Sequence, residues 1–296
     1  MAALSLPLRR RSALDAPARA AVRSLVGAPL FELVPLKNVL DQAAFLPPGA
    51  LVSVTASPAK GMEPTINLAV QLRERGYLVI PHLAAHMVRD RAHLAELLRR
   101  MDDAGIDRAF VVGGDAKDPG EYRDGLSLLR AMADLGHGLR EIGVPCYPQG
   151  HPTIPDDVLL EALAAKAPLA DSMTTQMCFD PIAIGTWLRA RRADGIDLPA
   201  IIGVPGAAEP QRLLSIAARI GVRDSRRFVM KNARFVARMV RSGGYYRPDS
   251  LLDGLAPLIA DPGAGVAGLH LYTFNAVEAT EAWRVRYLER LDKAAP

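Results

Sequence analysis

An α/β chain closed into a (β/α)8 barrel of the TIM type is the fold this sequence predicts. Three observations carry the prediction. Short apolar, strand-like runs alternate with helix-like stretches eight times along 296 residues, and that alternation implies a parallel sheet. Eight units favour closure over an open sheet, and the length fits one barrel with a short extension. Nearly every strand-like run also delivers a polar residue at its carboxyl end, the face on which such barrels keep their chemistry.

The elements follow in order. Residues 1–28 precede any strand and form an N-terminal extension; residues 29–296 form the barrel. In the extension Arg9, Arg10, Arg11, Arg19 and Arg23 lie among alanines and leucines. That pattern suits an amphipathic helix packed on the barrel's bottom, with a transit-like or membrane-surface segment as the alternative. Strand-like Leu30–Pro35 leads to helical Asn38–Ala44, and Ala50–Ala56 leads to Glu63–Arg75. In the latter, Ile66, Leu68, Ala69 and Leu72 share one face. Tyr77–Leu83 precedes Arg89–Ala104, and Arg108–Val112 precedes Glu121–Leu135. Glu141–Tyr147 precedes Asp156–Ala167, whose Pro155-Asp156 start is a helix-entry signal. Ser172–Met177 precedes Asp180–Arg192, and Ala200–Val204 precedes Pro210–Ile220. An extra helix, Phe228–Arg241, follows before the last strand, Gly268–Phe274, and the last helix, Ala276–Leu291.

Composition excludes several classes. The net charge of +4 is too small for a nucleic-acid footprint. No apolar run approaches the roughly 18 residues of a membrane span. Two cysteines, Cys146 and Cys178, make no disulfide framework and point to a cytoplasmic, reducing setting. Half of the residues are hydrophobic, ample for a large core.

Several motifs resolve to ordinary structure. Gly263-Ala264-Gly265-Val266-Ala267-Gly268 has the spacing of a dinucleotide fingerprint but precedes a strand instead of following one, so it reads as an entry loop. His82 and His86 are four apart, yet His82 ends a strand and no third ligand is near, which argues against a metal. None of the six lysines falls inside a strand-like run, as a Schiff-base barrel would need. The cysteines read as small buried hydrophobes rather than nucleophiles.

The residues that point to chemistry are the strand-end polar groups: Glu32, Thr55, His82, Asp115, Tyr147 with His151, Gln176 and Tyr272. Glu32 lies between Phe31 and Leu33, surroundings that raise a carboxyl pKa and suit a general acid. A structural salt bridge is the alternative. Asp115 follows Gly113-Gly114, which lets a flat ligand edge come close; a helix N-cap is the alternative. Glu63 is a further candidate, with a first-turn carboxylate favoured by the helix dipole as the plainer reading.

Together these segments resemble methylenetetrahydrofolate reductases. Phe31-Glu32-Leu33-Val34-Pro35 is similar to the family's F-E-F-x-P, and Gly114-Asp115 to the end of its L-R-G-D loop. Tyr147-Pro148-Gln149-Gly150-His151-Pro152 resembles Y-P-E-x-H-P, and Thr175 to Asp180 resembles T-Q-x-x-F-D. Leu271-Tyr272-Thr273-Phe274-Asn275 resembles F-Y-T-L-N. The resemblance implies that Glu32 protonates N10 of the folate, that Asp115 and Gln176 hold the pterin, and that Tyr272 lines the substrate site. It implies flavin contacts at Thr55, His82, Tyr147 and His151. Glu63, at the start of the helix after Thr55, is a candidate polar group near a nicotinamide. The chain departs from the family pattern where flavin is held. Gly113 replaces the arginine of L-R-G-D, Gln149 replaces a glutamate, and Glu161, Ala164 and Ala165 stand where polar and basic partners of the flavin diphosphate belong. The expectation is NADH-dependent reduction of 5,10-methylenetetrahydrofolate by direct hydride transfer without FAD. An FAD-dependent reductase and a non-catalytic folate- or nucleotide-binding barrel are the competing readings.

Overall fold

The computed structural model describes residues 14–57, 61–116, 118–208 and 246–293. The helices expected at 210–220 and 228–241, and the arginines at 9–11, lie outside the described residues. Eight parallel strands close into a barrel in sequence order. They are β1 (Leu30–Leu33), β2 (Leu51–Val54), β3 (Leu78–Ala84), β4 (Arg108–Val112), β5 (Glu141–Cys146), β6 (Ser172–Thr175), β7 (Ala200–Pro205) and β8 (Val266–Tyr272). The described helices are α1 (Ala16–Gly27), α2 (Val39–Ala43), α3 (Glu63–Glu74), α4 (Arg91–Asp103), α5 (Gly125–Leu135), α6 (Asp156–Lys166), α7 (Pro181–Ala193), α8 (Asp249–Ile259) and α9 (Val277–Lys293).

Local chemistry sets the helix starts. Asp90 accepts from His93 N at 2.7 Å, so α4 begins two residues later than the apolar pattern suggested. Asp124 and Ser127 form a reciprocal capping box that starts α5 at Gly125, not Glu121. Asp180 caps α7 through Ile182 N and Ala183 N. In each case the side-chain acceptor satisfies amides that lack an intrahelical partner.

Helix α8 was absent from the sequence expectations. Gly254 and Pro257 lie inside it, and both disfavour a helix interior. Packing overrides them. Leu251, Leu252, Leu255, Ala256 and Leu258 are buried, and a Cβ on Gly254 would meet Pro181 of α7 at 2.8 Å. Helix α1 lies against α8, α9 and strand β8. It buries Ala18, Val22 and Val26, and Arg284 of α9 donates to the carbonyls of Val26 and Gly27.

Alternation within the strands divides their side chains. Phe31, Leu33, Val52, Val54, Val111, Val144, Leu269 and Leu271 join the apolar core beneath the helices. The intervening positions face the lumen. They include Glu32, Ser53, His82, Phe110, Thr174, His270 and Tyr272. In register, Glu32 lies beside Ser53 of β2 and Tyr272 of β8.

The seam between β1 and β8 carries a polar clamp. Asn275 Oδ1 accepts from Val34 N at 2.8 Å, and its Nδ2 donates to Val34 O at 2.9 Å. The Thr273 hydroxyl donates to the carbonyl of Glu32. Phe274 and Asn275 adopt φ of 53° and 58°, uncommon for non-glycine residues and costly for a bulky one. The clamp holds that turn.

Gly203 on β7 tests how tightly the upper barrel is packed. A Cβ there would meet Thr175 O at 2.3 Å and the Tyr272 ring at 2.7 Å. Gly203→Ala is expected to destabilise the fold by at least ~2 kcal/mol, the scale of overpacking. A denaturant titration checks this, and an unchanged midpoint would contradict the packing described.

Candidate active site

The barrel opens at its C-terminal face into a cavity of about 640 Å³, within the usual range for small-molecule sites. Six of the strand-end residues singled out from sequence line it: Glu32, Thr55, His82, Tyr147, Gln176 and Tyr272. Each comes from a different strand or strand end, so closure of the sheet is what brings them together. Phe110, Thr174, Met177, His270 and Phe274 are among the other residues of its wall.

Glu32 is buried, and desolvation raises its carboxyl pKa to about 8. Its nearest cationic candidate is His270, whose Nε2 lies 3.6 Å from Oε2. That separation is beyond hydrogen-bond reach. Burial lowers His270 to about 3, with His82 adding to the effect, and lowers His82 to about 4. Burial thus favours the neutral form of both groups, and among the described residues no other cation faces Glu32. Burial likewise pushes Tyr147 up to about 12 and Tyr272 well above its ordinary value. The lining mixes apolar and polar groups, and among the described residues Glu32 is the one carboxylic acid in it, its pKa raised by burial.

The aromatic groups are fixed by specific contacts. Tyr272 donates to Thr175 O at 3.0 Å and stacks on His270 with ring centroids 4.6 Å apart. His82 packs on Phe110 at 4.8 Å. Gln176 Oε1 accepts from Met177 N, leaving its amide NH2 for a ligand.

Three sequence candidates are placed elsewhere. Asp115 is exposed in the loop after β4 and does not line the cavity. It caps no helix either; Asp124 caps α5. His151 sits one shell out, its ring edge-on to Tyr147 at 5.4 Å and Nδ1 close to the Thr153 hydroxyl. Glu63 does not line the cavity. Its carboxylate meets His93 Nε2 at 3.2 Å and Arg89 at 3.6 Å on the outer surface, at the first turn of α3. That position is the one the helix dipole favours, and it is outside the cavity.

His270 is the residue that sequence reasoning missed. The signal was its parity: it stands two before Tyr272, so it faces the lumen when Tyr272 does. Cys146 and Cys178 are buried with raised thiol pKa values, the latter at about 12, so neither is a ready nucleophile. His86 is engaged with Arg123 O at 2.7 Å, and among the described residues no cluster of metal-ligating side chains occurs. Nor is any described helix long and apolar enough to cross a membrane.

A side pocket of about 200 Å³ adjoins the main cavity through Tyr147. Lys166 and Arg191 line it. Burial lowers the Lys166 pKa, and Arg191 is held by Asp194 at 2.7 Å. Ala164 and Ala165 on α6 are exposed and line neither cavity.

The family model described as methylenetetrahydrofolate reductase matches residues 36–284. The chain belongs to the methylenetetrahydrofolate reductase family. A curated relative, Methylenetetrahydrofolate reductase 1 of Schizosaccharomyces pombe (strain 972 / ATCC 24843), is 26% identical over 197 residues. That alignment covers 62% of this chain and 31% of the relative, so the chain spans about a third of the relative's length. Among solved structures, a putative lyase/mutase from Burkholderia cenocepacia J2315 aligns with a TM-score of 0.46 at 16% identity, covering 94% of this chain and 86% of that one. A putative phosphonomutase from the same organism aligns at 0.44 and 16%, covering 94% and 100%. The reductase-family match begins just beyond Glu32, so the assignment of Glu32 rests on the geometry of the site.

Glu32 also makes a stability prediction. The folded carboxyl keeps its proton to about pH 8, whereas the unfolded one loses it near 4.5. Between those values the folded state binds more protons, so this residue's contribution to stability falls as pH rises. Unfolding titrations of the protein and of Glu32→Gln, run from pH 5 to pH 8, are expected to show the variant gaining relative stability. A pH-independent difference would mean that Glu32 ionises normally.

Proposed function

We propose that this family member reduces 5,10-methylenetetrahydrofolate to 5-methyltetrahydrofolate with NADH, hydride passing directly between the two bound molecules. The observation that carries the reading is a buried, protonated Glu32 facing a cavity sized for small-molecule binding. Glu32 protonates N10 as the five-membered ring opens, and the resulting N5 iminium accepts hydride at the methylene carbon. The balance is one hydride from NADH and one proton from Glu32 per turnover. Gln176 offers its free amide to the pterin, and Tyr272 forms a wall of the substrate site. Asp115, exposed on the loop after β4, is the second proposed pterin contact. Thr55, His82, Tyr147 and, behind it, His151 border the space for the nicotinamide. Holding two flat rings face to face supplies much of the rate advantage.

The absence of flavin from the reaction is supported by the contacts the chain lacks. Gly113 has no side chain to support a flavin, and Ala164 and Ala165 cannot bind a diphosphate. Charge-assisted contacts stabilise by about 1.5–3 kcal/mol each. The FAD-dependent reading has one observation in its favour, the Lys166 side pocket beside Tyr147.

Two measurements separate these readings. Glu32→Gln is expected to lower kcat by at least ~10²-fold with folate binding changed far less, the scale of general acid catalysis. Near-normal turnover would remove Glu32 from the chemistry, and folate binding without any turnover in the parent protein would favour the non-catalytic barrel. Purified protein is expected to show no flavin absorption band, no activation by added FAD, and sequential kinetics. Copurified FAD or ping-pong kinetics would establish the flavin enzyme.

A further inference from the structure

A second chamber lies beneath the site. Barrels of this type are ordinarily filled by layers of inward side chains. In the lower half of this one, Gly143, Ser172 and Gly268 occupy inward positions and leave a cavity of about 330 Å³. Its rim reaches Asp171 and Ala267, both exposed, so it opens to solvent at the N-terminal face. His82, Phe110, Thr174 and His270 line both this chamber and the upper cavity. One layer of side chains therefore separates the two.

Two buried nitrogens in that layer, His82 Nε2 and His270 Nδ1, have no hydrogen-bond partner among the described residues. An unpaired buried polar atom costs about 1–3 kcal/mol. Water removes that cost where a cavity is polar and roomy, each molecule taking about 30 Å³. The hydroxyls of Ser53, Ser172 and Thr174 give a mostly apolar chamber a strip of polar partners, and its open rim admits solvent. The other nitrogen of His270, Nε2, lies 3.1 Å from Ser53 Oγ and 3.6 Å from Glu32 Oε2. His270 thus has one nitrogen toward the acid and one free to accept from water.

We propose that His270 relays protons from water in the lower chamber to Glu32, reloading the acid while folate and nicotinamide cover the upper mouth. The proposal rests on Glu32 being the acid. Glu32 gives its O–H proton to N10. The carboxylate then takes the Nε2–H proton of His270, closing the 3.6 Å gap by a small side-chain rotation. Nδ1 takes a proton from chamber water, which bulk solvent replaces from below. One proton enters for each hydride transferred. The starting tautomer returns when Nε2 takes the Ser53 hydroxyl proton, chamber water refills Ser53, and Nδ1 releases its proton to water.

The test compares the first turnover with the steady state in rapid mixing of NADH-loaded protein with excess folate substrate. The first turnover uses a proton already on Glu32; later ones need reloading. Ser172→Leu fills the chamber from below, away from the reacting atoms. It is expected to keep the first-turnover rate within about twofold and to lower the steady-state rate about tenfold. His270→Gln keeps a donor and an acceptor but cannot exchange tautomers, and its ratio of steady-state to first-turnover rate is expected to fall by a similar factor. Ratios equal to the parent's in both variants would overturn the relay. So would an equal fall of both phases in a Ser172→Leu protein that melts normally, because the filler would then act through packing. Should Ser172→Leu not fold, the His270→Gln ratio decides. Glu32→Gln is expected to lose both phases; a normal first turnover there would instead overturn the acid assignment itself, a different result from equal ratios.

Discussion

Closure of the barrel between β1 and β8 is the constraint on which the site depends. It sets Glu32 in register with Tyr272 and puts His270 one inward position below. The clamp of Thr273 and Asn275 onto Glu32 O and Val34 ties the two strand ends together. A carboxyl group held there is surrounded by strands and largely buried at the floor of the cavity. Among the described residues no cation compensates it, and burial raises its pKa to about 8. Burial of an ionisable group is ordinarily a liability; here the same desolvation makes the acid.

The surrounding polar groups follow the same rule. His82, His270, Tyr147 and Tyr272 are each driven toward the neutral form by burial. An uncharged wall leaves Glu32 as the group whose protonation state can change near neutral pH. The small inward residues of β5, β6 and β8 add a second consequence, since the floor of the site borders an opening to solvent instead of a packed core. Chemistry above and proton supply below would then be separated by a single layer of side chains.

The chain belongs to the methylenetetrahydrofolate reductase family, and the reaction proposed for it proceeds without flavin. Polar strand-end residues line the main cavity, whereas the exposed face of α6 carries Ala164 and Ala165. Substitutions on that face change no packing, because nothing buried depends on them. A barrel permits such divergence: strand ends and loops vary in function while the inner and outer layers keep the fold.

Much of this was legible in the linear sequence. Period-two strands and helical stripes are local properties, so β1 through β8 were found within a few residues, and Glu32, Thr55, His82, Tyr147, Gln176 and Tyr272 could be selected as strand-end groups. What local pattern could not decide was convergence. Asp115, His151 and Glu63 also follow strands or open helices, yet loop paths carry the first two to the rim and ion pairing holds the third outside. Helix α8 was hidden by Gly254 and Pro257, whose unfavourable propensity is outweighed by burial against α7. His270 looked like one more residue in an apolar strand until the lumen was closed around it. The chain by itself determined alternation and therefore the barrel; only the tertiary structure decided which polar groups share a dry interior, because burial and distance are properties of the closed sheet and not of any one strand.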